Sequence, residues 1–258
     1  KRNFVKIMNP LGEETSVMRT TLIPNMLDVI STNISHKVEE VSAFECGNTF
    51  IPQEGLPIET KKYCVGMYGK EVDFFVLKGV IESVLNNVGL KGYEIEPETT
   101  NLTFHPGRCA KIVYNNIYIG TFGELHPDVI ENYNLGQRVY VAEINIDTVF
   151  ENLNLTKSYN PLPKYPSTSR DIALIVKDEV FVKQIEDIIK ANGEDLVESY
   201  KLFDVYKGAQ IEEGHKSIAY SITYRSKDKT LTDEDVAKVH EKILSELSEK
   251  LNANLRSN

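Results

Sequence analysis

The chain has 258 residues, a length that predicts one large domain or two small ones. Hydrophobic residues make up 41% and charged residues 26%, a composition typical of soluble globular proteins that excludes intrinsic disorder. No run approaches the roughly 18 apolar residues of a membrane span, so we expect no membrane association. The net charge of −9 excludes the overall positive field of a dedicated nucleic-acid binder, and RNA could bind only at a local basic patch.

The first residues of the chain indicate whether it is part of a longer protein, and its cysteines indicate the cellular compartment. The start has no initiator Met, signal peptide or transit-peptide pattern, which indicates a piece of a longer protein. Cys46, Cys64 and Cys109 are widely spaced and form no Cys-x-x-Cys pair, which argues against a disulfide framework or a zinc site. This usage favours a reducing cytosol, so the expected location is cytoplasmic.

The first half of the chain predicts helices mixed with hairpin strands. Pro24 suits the first turn of one helix, and Asp73 is placed to cap a second. Asn115 and Asn116, between two apolar runs, predict a tight hairpin turn. The remaining elements expected here are strands over 41–50, 62–68, 110–114, 117–122 and 139–146 and a short helix over 127–133. This order predicts an α+β domain built on a largely antiparallel sheet.

A proline-rich connector divides the chain. Pro161, Pro163 and Pro166 fall within a stretch of hydroxyl and amide residues between 152 and 169. Such a composition is typical of an extended linker. We therefore expect one domain over residues 1–157 and a second over residues 158–258.

The second half predicts a ferredoxin-like split βαβ domain. Strands are expected over 172–176, 196–206 and 217–225, with a short last strand over 253–256. A helix that includes Phe181 and Ile189 ends at Asn192-Gly193, and Thr232 and Asp235 form a capping box for a second helix. The resulting β-α-β-β-α-β order places both helices on one face of the sheet and leaves the other face open.

The common catalytic motifs are absent from the sequence. It contains no P-loop, no Gly-x-Gly-x-x-Gly fingerprint and no Gly-x-Ser-x-Gly elbow, and its histidines lack metal-ligand spacing. One polar cluster stands out, because Arg108 and Glu124 flank the predicted hairpin and can meet in space. His105 and His126 belong to the same two segments. Two interpretations stay open: a small-molecule pocket, or a structural salt bridge beside two turns.

Several motifs resemble the beta subunit of bacterial phenylalanine–tRNA ligase. In the first half these are the run 9–24, Phe-Glu-Cys-Gly at 44–47 and the segment 105–127. In the second half they are Tyr-Pro-Ser-Thr-Ser-Arg-Asp-Ile at 165–172, Leu-Phe-Asp-Val-Tyr-Lys-Gly at 202–208, the run 224–232 and Leu-Arg at 255–256. The resemblance implies a class II aminoacyl-tRNA synthetase core-like domain followed by a ferredoxin-fold anticodon-binding domain.

The same resemblance implies that the first domain is catalytically silent. An active class II core uses arginines in its motifs 2 and 3 to hold ATP, and the segments at 43–46 and 123–127 lack them. Without those cations, the charge on the nucleotide phosphates has no counter-charge. The family implies catalysis on a separate alpha subunit within an (αβ)₂ heterotetramer, with ATP and magnesium serving the whole enzyme. We expect no catalytic residue, metal or cofactor in this chain.

The resemblance leaves the second domain to contact the anticodon region of tRNA-Phe. Exposed bases of RNA loops are read by stacking and hydrogen bonding, with cations on the phosphates. We expect the contact residues to share one face: Lys164, Tyr165, Arg170, Tyr206, Arg225, Lys227 and Lys229. Each has a structural alternative. Tyr206 could belong to the core, and Arg170 could pair with Asp171. Lys227 and Lys229 could simply solubilise a loop.

Two other functions stay open. The first is a self-sufficient ligase or transferase that uses Arg108, Glu124 and His126, which predicts ATP binding by this chain. The second is a small-molecule regulatory module, because ferredoxin-like domains also bind amino acids at dimer interfaces. That function predicts ligand-dependent dimerisation and salt-insensitive binding, whereas RNA binding predicts a steep loss of affinity with salt.

Overall fold

The computed structural model describes residues 3–153, 155–156, 159, 161–208 and 210–256. Two units are distinguished, Lys1–Lys157 and Ser158–Asn258. The predicted boundary between residues 157 and 158 lies outside the described residues. Within these described ranges no helix is long and apolar enough to cross a membrane.

A six-stranded antiparallel sheet forms the centre of the first unit. Its strand order is β1-β2-β6-β5-β4-β3, and each neighbouring pair is antiparallel. The strands are β1 Val41–Ile51, β2 Ile58–Tyr68, β3 Glu94–Pro97, β4 Phe104–Tyr114, β5 Ile117–Leu125 and β6 Tyr140–Asn145. The helices are α1 Ile23–Ser35, α2 Phe74–Asn87, α3 Pro127–Asn132 and α4 Ile146–Glu151.

Helices cover both faces of this sheet because successive strand residues point to opposite sides. In β2, Val65 and Met67 join the core beneath α2, while Cys64 and Tyr68 join the core beneath α1. Gly66 lies on the α1 side, where a Cβ atom would clash with side chains of that helix. A glycine is therefore needed for α1 to approach the sheet closely.

The local signals in the first half are confirmed. The Asp73 carboxylate accepts the Val76 N–H at 2.8 Å and caps α2. Asn115 and Asn116 take positive φ angles of 48° and 64° in the turn between β4 and β5, a conformation that asparagine tolerates and that matches the twist of a hairpin.

The structure also contains elements that the sequence did not predict. Strand β3 and helix α4 are new, and β4 begins six residues earlier than expected. The pairing of β4 with β5 is irregular between Phe104 and Cys109. The intervening His-Pro-Gly-Arg run breaks the alternation of apolar and polar residues, which is why it did not predict a strand.

The second unit has the predicted ferredoxin-like fold. Its elements are β7 Thr168–Lys177, α5 Val182–Asn192, β8 Val197–Tyr206, β9 His215–Tyr224, α6 Asp233–Leu251 and β10 Asn254–Leu255. They form an antiparallel sheet of order β10-β7-β9-β8. The α+β fold class with largely antiparallel sheets is thereby confirmed.

Both helices of the second unit pack on the same side of its sheet. Ile185 of α5 and Ile243 of α6 share one core with Leu174 of β7 and Tyr220 of β9. The capping box that starts α6 is confirmed, because Thr232 and Asp235 exchange hydrogen bonds of 3.2 and 3.1 Å. Among the described residues of this unit, no helix covers the opposite side of the sheet, which we call the open face.

Candidate nucleic-acid interface

Small side chains form the floor of the open face. In β9, Ile218, Tyr220 and Ile222 belong to the core beneath the helices. The residues that alternate with them, Ser217 and Ala219 among others, must therefore point to the open face. Ala173 of β7 lies opposite Ala219. Such a floor offers little bulk of its own, so the larger side chains at its edges determine what can bind.

Tyr206 is the large aromatic side chain at one end of this floor. It lies opposite Ser217 and therefore projects from the open face. It is 37% exposed, so the alternative of a core tyrosine is wrong. The Arg256 guanidinium lies 5.6 Å from its ring centroid, within the range of a cation–π contact. The Tyr206 ring is thus held at the surface with its orientation defined.

Two further residues fix the surroundings of Tyr206. A Cβ atom on Gly208 would clash with the Tyr206 hydroxyl, so the ring lies directly against the backbone of Gly208. The Arg256 Nη2 atom donates to Gln210 Oε1 at 3.0 Å, which restrains the guanidinium over the ring. The resulting arrangement is an aromatic ring held in place beside a cation, which we call the Tyr206 platform.

Lysines surround the same end of the sheet. Lys207 Nζ lies 2.8 Å from the Asp178 carboxylate, and Lys216 Nζ donates to the Asp178 carbonyl at 2.8 Å. Burial, and then the positive charge of Lys207, lower the pKa of Lys216. A lowered pKa means that the Lys216 ammonium is less favourably surrounded than in water. Two ammonium groups therefore share one acidic residue, and Lys216 reaches it from the helix side of the sheet because it alternates with Ser217.

Arg170 lies on the helix side of the sheet. It sits opposite Ile222, a core residue, and its Nη2 atom contacts Asp233 at 2.6 Å at the start of α6. The alternative of an ion pair with Asp171 is wrong, because adjacent strand residues point to opposite faces. Arg170 therefore lies outside the open face and forms an ion pair with α6.

Arg225 follows β9 and acts as a clamp between segments of the second unit. Its Nε atom lies 2.9 Å from Glu198 Oε1, and its Nη1 atom donates to the carbonyl oxygen of Tyr165. The Arg225 side chain is 23% exposed. Its donors are thus largely used within the protein, and Tyr165 accepts through its backbone.

The three candidate lysines differ in their contacts. Lys229 pairs with Asp235 at 2.8 Å, so it neutralises the capping box of α6. Lys164 and Lys227 are exposed, and neither has an ion-pair partner in the part of the chain that the structure describes. These two ammonium groups remain available to a solvent-borne anion.

The candidates do not form one cluster. Tyr206 lies opposite Ser217, whereas Arg225 follows the other end of the same strand. Eight residues of extended strand separate Ser217 from Arg225, a distance of roughly 27 Å. The expectation that all seven candidates share one face is wrong, because Arg170 lies on the helix side of the sheet. In addition, Tyr206 lies at the end of the sheet that is far from Arg225.

Sequence reasoning missed Arg256 and Lys207 as neighbours of Tyr206. Arg256 follows the last helix, about 50 residues from Tyr206 along the chain, and reaches the platform only because β10 pairs with β7. The available signal was that Lys207 and Arg256 belong to the same two motifs that carry the family resemblance.

The Arg108 and Glu124 side chains meet in the first unit, as expected. Arg108 Nε lies 2.8 Å from Glu124 Oε2. Arg138 approaches the other carboxylate oxygen at 3.7 Å, and the Tyr140 hydroxyl donates to Oε2 at 3.3 Å. His126 serves a different purpose, because its Nδ1 atom accepts the Asp128 N–H and caps α3. The three residues of the ligase alternative therefore do not converge on one point.

The remaining candidates for chemistry are the buried cysteine thiols and the side chains that could bind a metal ion. Burial raises the pKa of the Cys109 thiol to about 12 and that of the Cys64 thiol further, so neither forms a thiolate at neutral pH. No group of three or more His, Cys, Asp or Glu side chains that could hold a metal ion occurs among the residues described.

Comparisons with known proteins assign the chain to a family. Residues 163–256 match the family described as "Ferredoxin-fold anticodon binding domain", which defines the class of the second unit. Residues 1–146 match the "Phenylalanyl tRNA synthetase beta chain CLM domain". The chain belongs to the phenylalanyl tRNA synthetase beta chain family.

Individual relatives agree with this assignment. The chain is 47% identical to the phenylalanine–tRNA ligase beta subunit of Clostridium tetani and 46% identical to that of Clostridium acetobutylicum, each over 258 residues. Its identity to the Bacillus licheniformis beta subunit is 36% over 272 residues. These matches cover 99% of this chain but only 32%, 32% and 34% of the relatives. The chain thus spans about a third of their length.

A solved structure also shows a partial likeness. A pyrrolysyl tRNA synthetase from Desulfitobacterium hafniense matches 55% of this chain and 51% of its own, with a TM-score of 0.46 and 13% identity. A likeness at this level says nothing about the reaction.

Proposed function

We propose that this chain is a non-catalytic part of a phenylalanine–tRNA ligase beta subunit and acts in the cytoplasm. Its second unit contacts the anticodon region of tRNA-Phe, and its first unit supports assembly with the alpha subunit in an (αβ)₂ heterotetramer. ATP and magnesium serve the whole enzyme during aminoacylation, and neither is held by this chain. The two domains over 1–157 and 158–258 carry these separate roles.

The observation that carries the proposal is the position of Tyr206 on the open face. Tyr206 and the Arg256 guanidinium that lies over its ring form a partly exposed planar pair on which a base can stack. Arg256 places a cation at the same point, where it can stack on the base or contact its phosphate. The domain that holds this platform is the one that matches the anticodon-binding family.

Cations lie at both ends of the sheet of the second unit despite the overall charge of −9. At the Tyr206 end these are Lys207 and Arg256, with Asp178 paired to Lys207 and Asp204 opposite Ala219 on the open face. At the other end, Lys164 and Lys227 have no ion-pair partner among the described residues. We propose that the Tyr206 end takes the bases and that these exposed lysines contact phosphates. Arg170, Arg225 and Lys229 would each have to exchange a carboxylate for a phosphate before binding RNA.

Two features support a non-catalytic assembly role for the first unit. Glu45, in the segment that resembles motif 2, pairs with Arg19 at 2.6 Å, so this arginine neutralises a carboxylate of the protein. Phe44 on edge strand β1 is 71% exposed, and Met8 and Leu11 are also exposed. Exposed apolar side chains of this size are typical of surfaces that another chain covers.

Titration with tRNA-Phe and a non-cognate tRNA at several salt concentrations tests the tRNA contact. We expect the logarithm of the affinity to fall linearly with the logarithm of the salt concentration. Replacing Lys164 and Lys227 by glutamine should reduce the slope by about 0.7 for each phosphate that a lysine no longer neutralises. The matched control is Lys91→Gln, an exposed lysine in the first unit, which should leave the slope unchanged.

Three results would contradict the proposal. An unchanged slope in the double variant would show that these lysines do not contact phosphates. Absence of tRNA binding even at low salt would contradict an RNA contact by this chain alone. Salt-insensitive binding of an amino acid that dimerises the chain would favour the small-molecule regulatory module instead.

A further inference from the structure

The Glu124 cluster of the first unit carries an excess of positive charge. The Glu124 side chain is only 5% exposed and has two guanidinium groups as neighbours, those of Arg108 and Arg138. One carboxylate neutralises one of these cations, so a single positive charge remains. Arg108 is 38% exposed and Arg138 67% exposed, so a solute can reach both.

The hydrogen-bond donors of Arg108 are not satisfied by Glu124. Arg108 Nε lies close to the carboxylate, yet its N–H bond is not aligned with any acceptor among the residues that the structure describes. A buried donor without an acceptor costs free energy, commonly about 1–3 kcal/mol. The ion pair therefore holds Arg108 in place by charge, and because Nε is buried, a solute can reach only the exposed part of the guanidinium.

Two donors lie against the ring of His105. The Gly107 N–H lies 3.1 Å from His105 Nδ1, and Arg108 Nη2 lies 3.2 Å from His105 Nε2. A neutral imidazole accepts at only one of its nitrogens, so its own N–H faces another donor at the second nitrogen, and the tautomer decides which. The irregular His-Pro-Gly-Arg segment of β4 holds these groups together.

We propose that Arg108, Arg138 and His105 form a binding site for a phosphate oxyanion beside Glu124. A phosphate group offers at least three acceptor oxygens, enough to accept from each of the three side chains. Its negative charge offsets the excess charge of the cluster, and the planar fork of arginine matches phosphate geometry. The site lies in the first unit and does not depend on the Tyr206 surface or its proposed function.

Inorganic phosphate is the probe that tests this site. The 258-residue chain is titrated with phosphate at constant ionic strength, and the arginine Nε–Hε signals are followed by NMR. We expect a saturable shift of the Arg108 signal. Arg138→Gln removes an exposed cation and leaves the Arg108–Glu124 pair intact, and it should weaken phosphate binding at least about tenfold. Lys91→Gln removes an exposed cation elsewhere in the same unit and should bind phosphate normally.

A second variant tests the site at a different residue, and a stability measurement separates loss of binding from loss of the fold. His105→Phe removes both ring nitrogens while keeping a ring, and it should also weaken phosphate binding. The unfolding temperature of each variant shows whether the fold is retained. Absence of a saturable shift in the unmodified chain would overturn the proposal. Equal affinity in both folded variants would overturn it as well.

Competition identifies the source of the phosphate. If tRNA-Phe reverses the phosphate-induced shift, and Arg138→Gln binds tRNA-Phe more weakly, the phosphate belongs to an RNA backbone. If tRNA-Phe leaves the shift unchanged, the site takes free phosphate or a nucleotide. The phosphate site stands under both results, and only its source differs.

Discussion

The guanidinium of Arg256 lies 5.6 Å from the ring centroid of Tyr206, although the two residues are about 50 positions apart in the chain. Tyr206 ends β8, and Arg256 follows β10 at the opposite edge of the sheet. The contact therefore crosses the open face. It restrains the ring, and under the proposed function a base that stacks there would lose less conformational entropy on binding.

The first prediction concerns the ring of Tyr206. Tyr206→Ala should weaken tRNA-Phe binding by about 5- to 150-fold, because stacking of one base on an aromatic side chain contributes about 1–3 kcal/mol. Tyr206→Phe keeps the ring and should retain most of the affinity. Fluorescence anisotropy with labelled tRNA-Phe measures both variants.

The matched control for this prediction is Phe181→Ala. Phe181 is an exposed aromatic residue of the same unit, but it lies at the start of α5 on the helix side. Its removal should leave the affinity for tRNA-Phe unchanged. Equal losses in Tyr206→Ala and Phe181→Ala would contradict a base-stacking role on the open face.

The second prediction concerns Gly208. A Cβ atom at this position would clash with the Tyr206 hydroxyl, so Gly208→Ala should displace the ring from its place under Arg256. We expect a several-fold loss of tRNA affinity with little change in the circular dichroism spectrum. The crystal structure or the aromatic NMR signals of the variant show whether the ring has moved.

Gly79→Ala is the comparison for Gly208→Ala. A Cβ atom at Gly79, inside α2, meets no atom within 4 Å. Alanine is favoured over glycine in a helix interior by about 0.5–1 kcal/mol, so this variant should raise the unfolding temperature. Tight tRNA binding by Gly208→Ala would show that the position of the ring does not matter.

The third prediction concerns the stability contributions of Arg225 and Arg170, which the sequence analysis both names as tRNA-contact candidates. Arg225→Ala removes hydrogen bonds to Glu198 and to the Tyr165 carbonyl from a side chain that is 23% exposed, and should cost about 1.5–3 kcal/mol of stability. Arg170→Ala breaks an exposed ion pair with Asp233 and should cost about 0–1 kcal/mol. Urea unfolding measures both. Equal losses would contradict the clamp role of Arg225.

The fourth prediction concerns acid stability. Burial, and then the charge of Arg170, lower the pKa of His240 from 6.5, while nearby Glu241 opposes the shift. Burial raises the pKa of Tyr224 to about 12, so its hydroxyl remains protonated, and it shares a hydrogen bond of 2.9 Å with His240 Nδ1. The folded state therefore favours neutral His240.

The sign of the effect follows from proton uptake. Between pH 6.5 and the lower pKa of the folded state, the unfolded chain binds more protons, so the free energy of unfolding falls as pH falls. The contribution is fully present above pH 6.5. His240→Gln should flatten this part of the pH profile, as measured by urea unfolding. A profile unchanged by the substitution would contradict the assignment to His240.

Sequence patterns predicted the elements that local chemistry determines. The Asn115-Asn116 turn, the Asp73 cap and the Thr232 capping box are each encoded by a few adjacent residues. Strand β3 was missed because four residues give too short an alternation to recognise. Helix α4 was missed because its six residues extend an apolar run that reads as the end of β6.

The candidate site was less predictable because it depends on pairing across the sheet. Tyr206 was a candidate stacking residue in a specific motif, and a position in the core was left open for it. The side of the sheet taken by Arg170 depends on its register with Ile222, which no pattern in the chain specifies. In the same way, only the pairing of β10 with β7 brings Arg256 to Tyr206.

The brevity of β10 has a consequence for chain length. Only Asn254 and Leu255 pair with β7, yet they make β7 an interior strand. A chain ending at Leu251 would leave the backbone amides and carbonyls of β7 exposed along an edge. Such an edge can recruit a strand from another molecule. We therefore expect that removal of the last few residues favours self-association of this unit through Leu174 and Ile175.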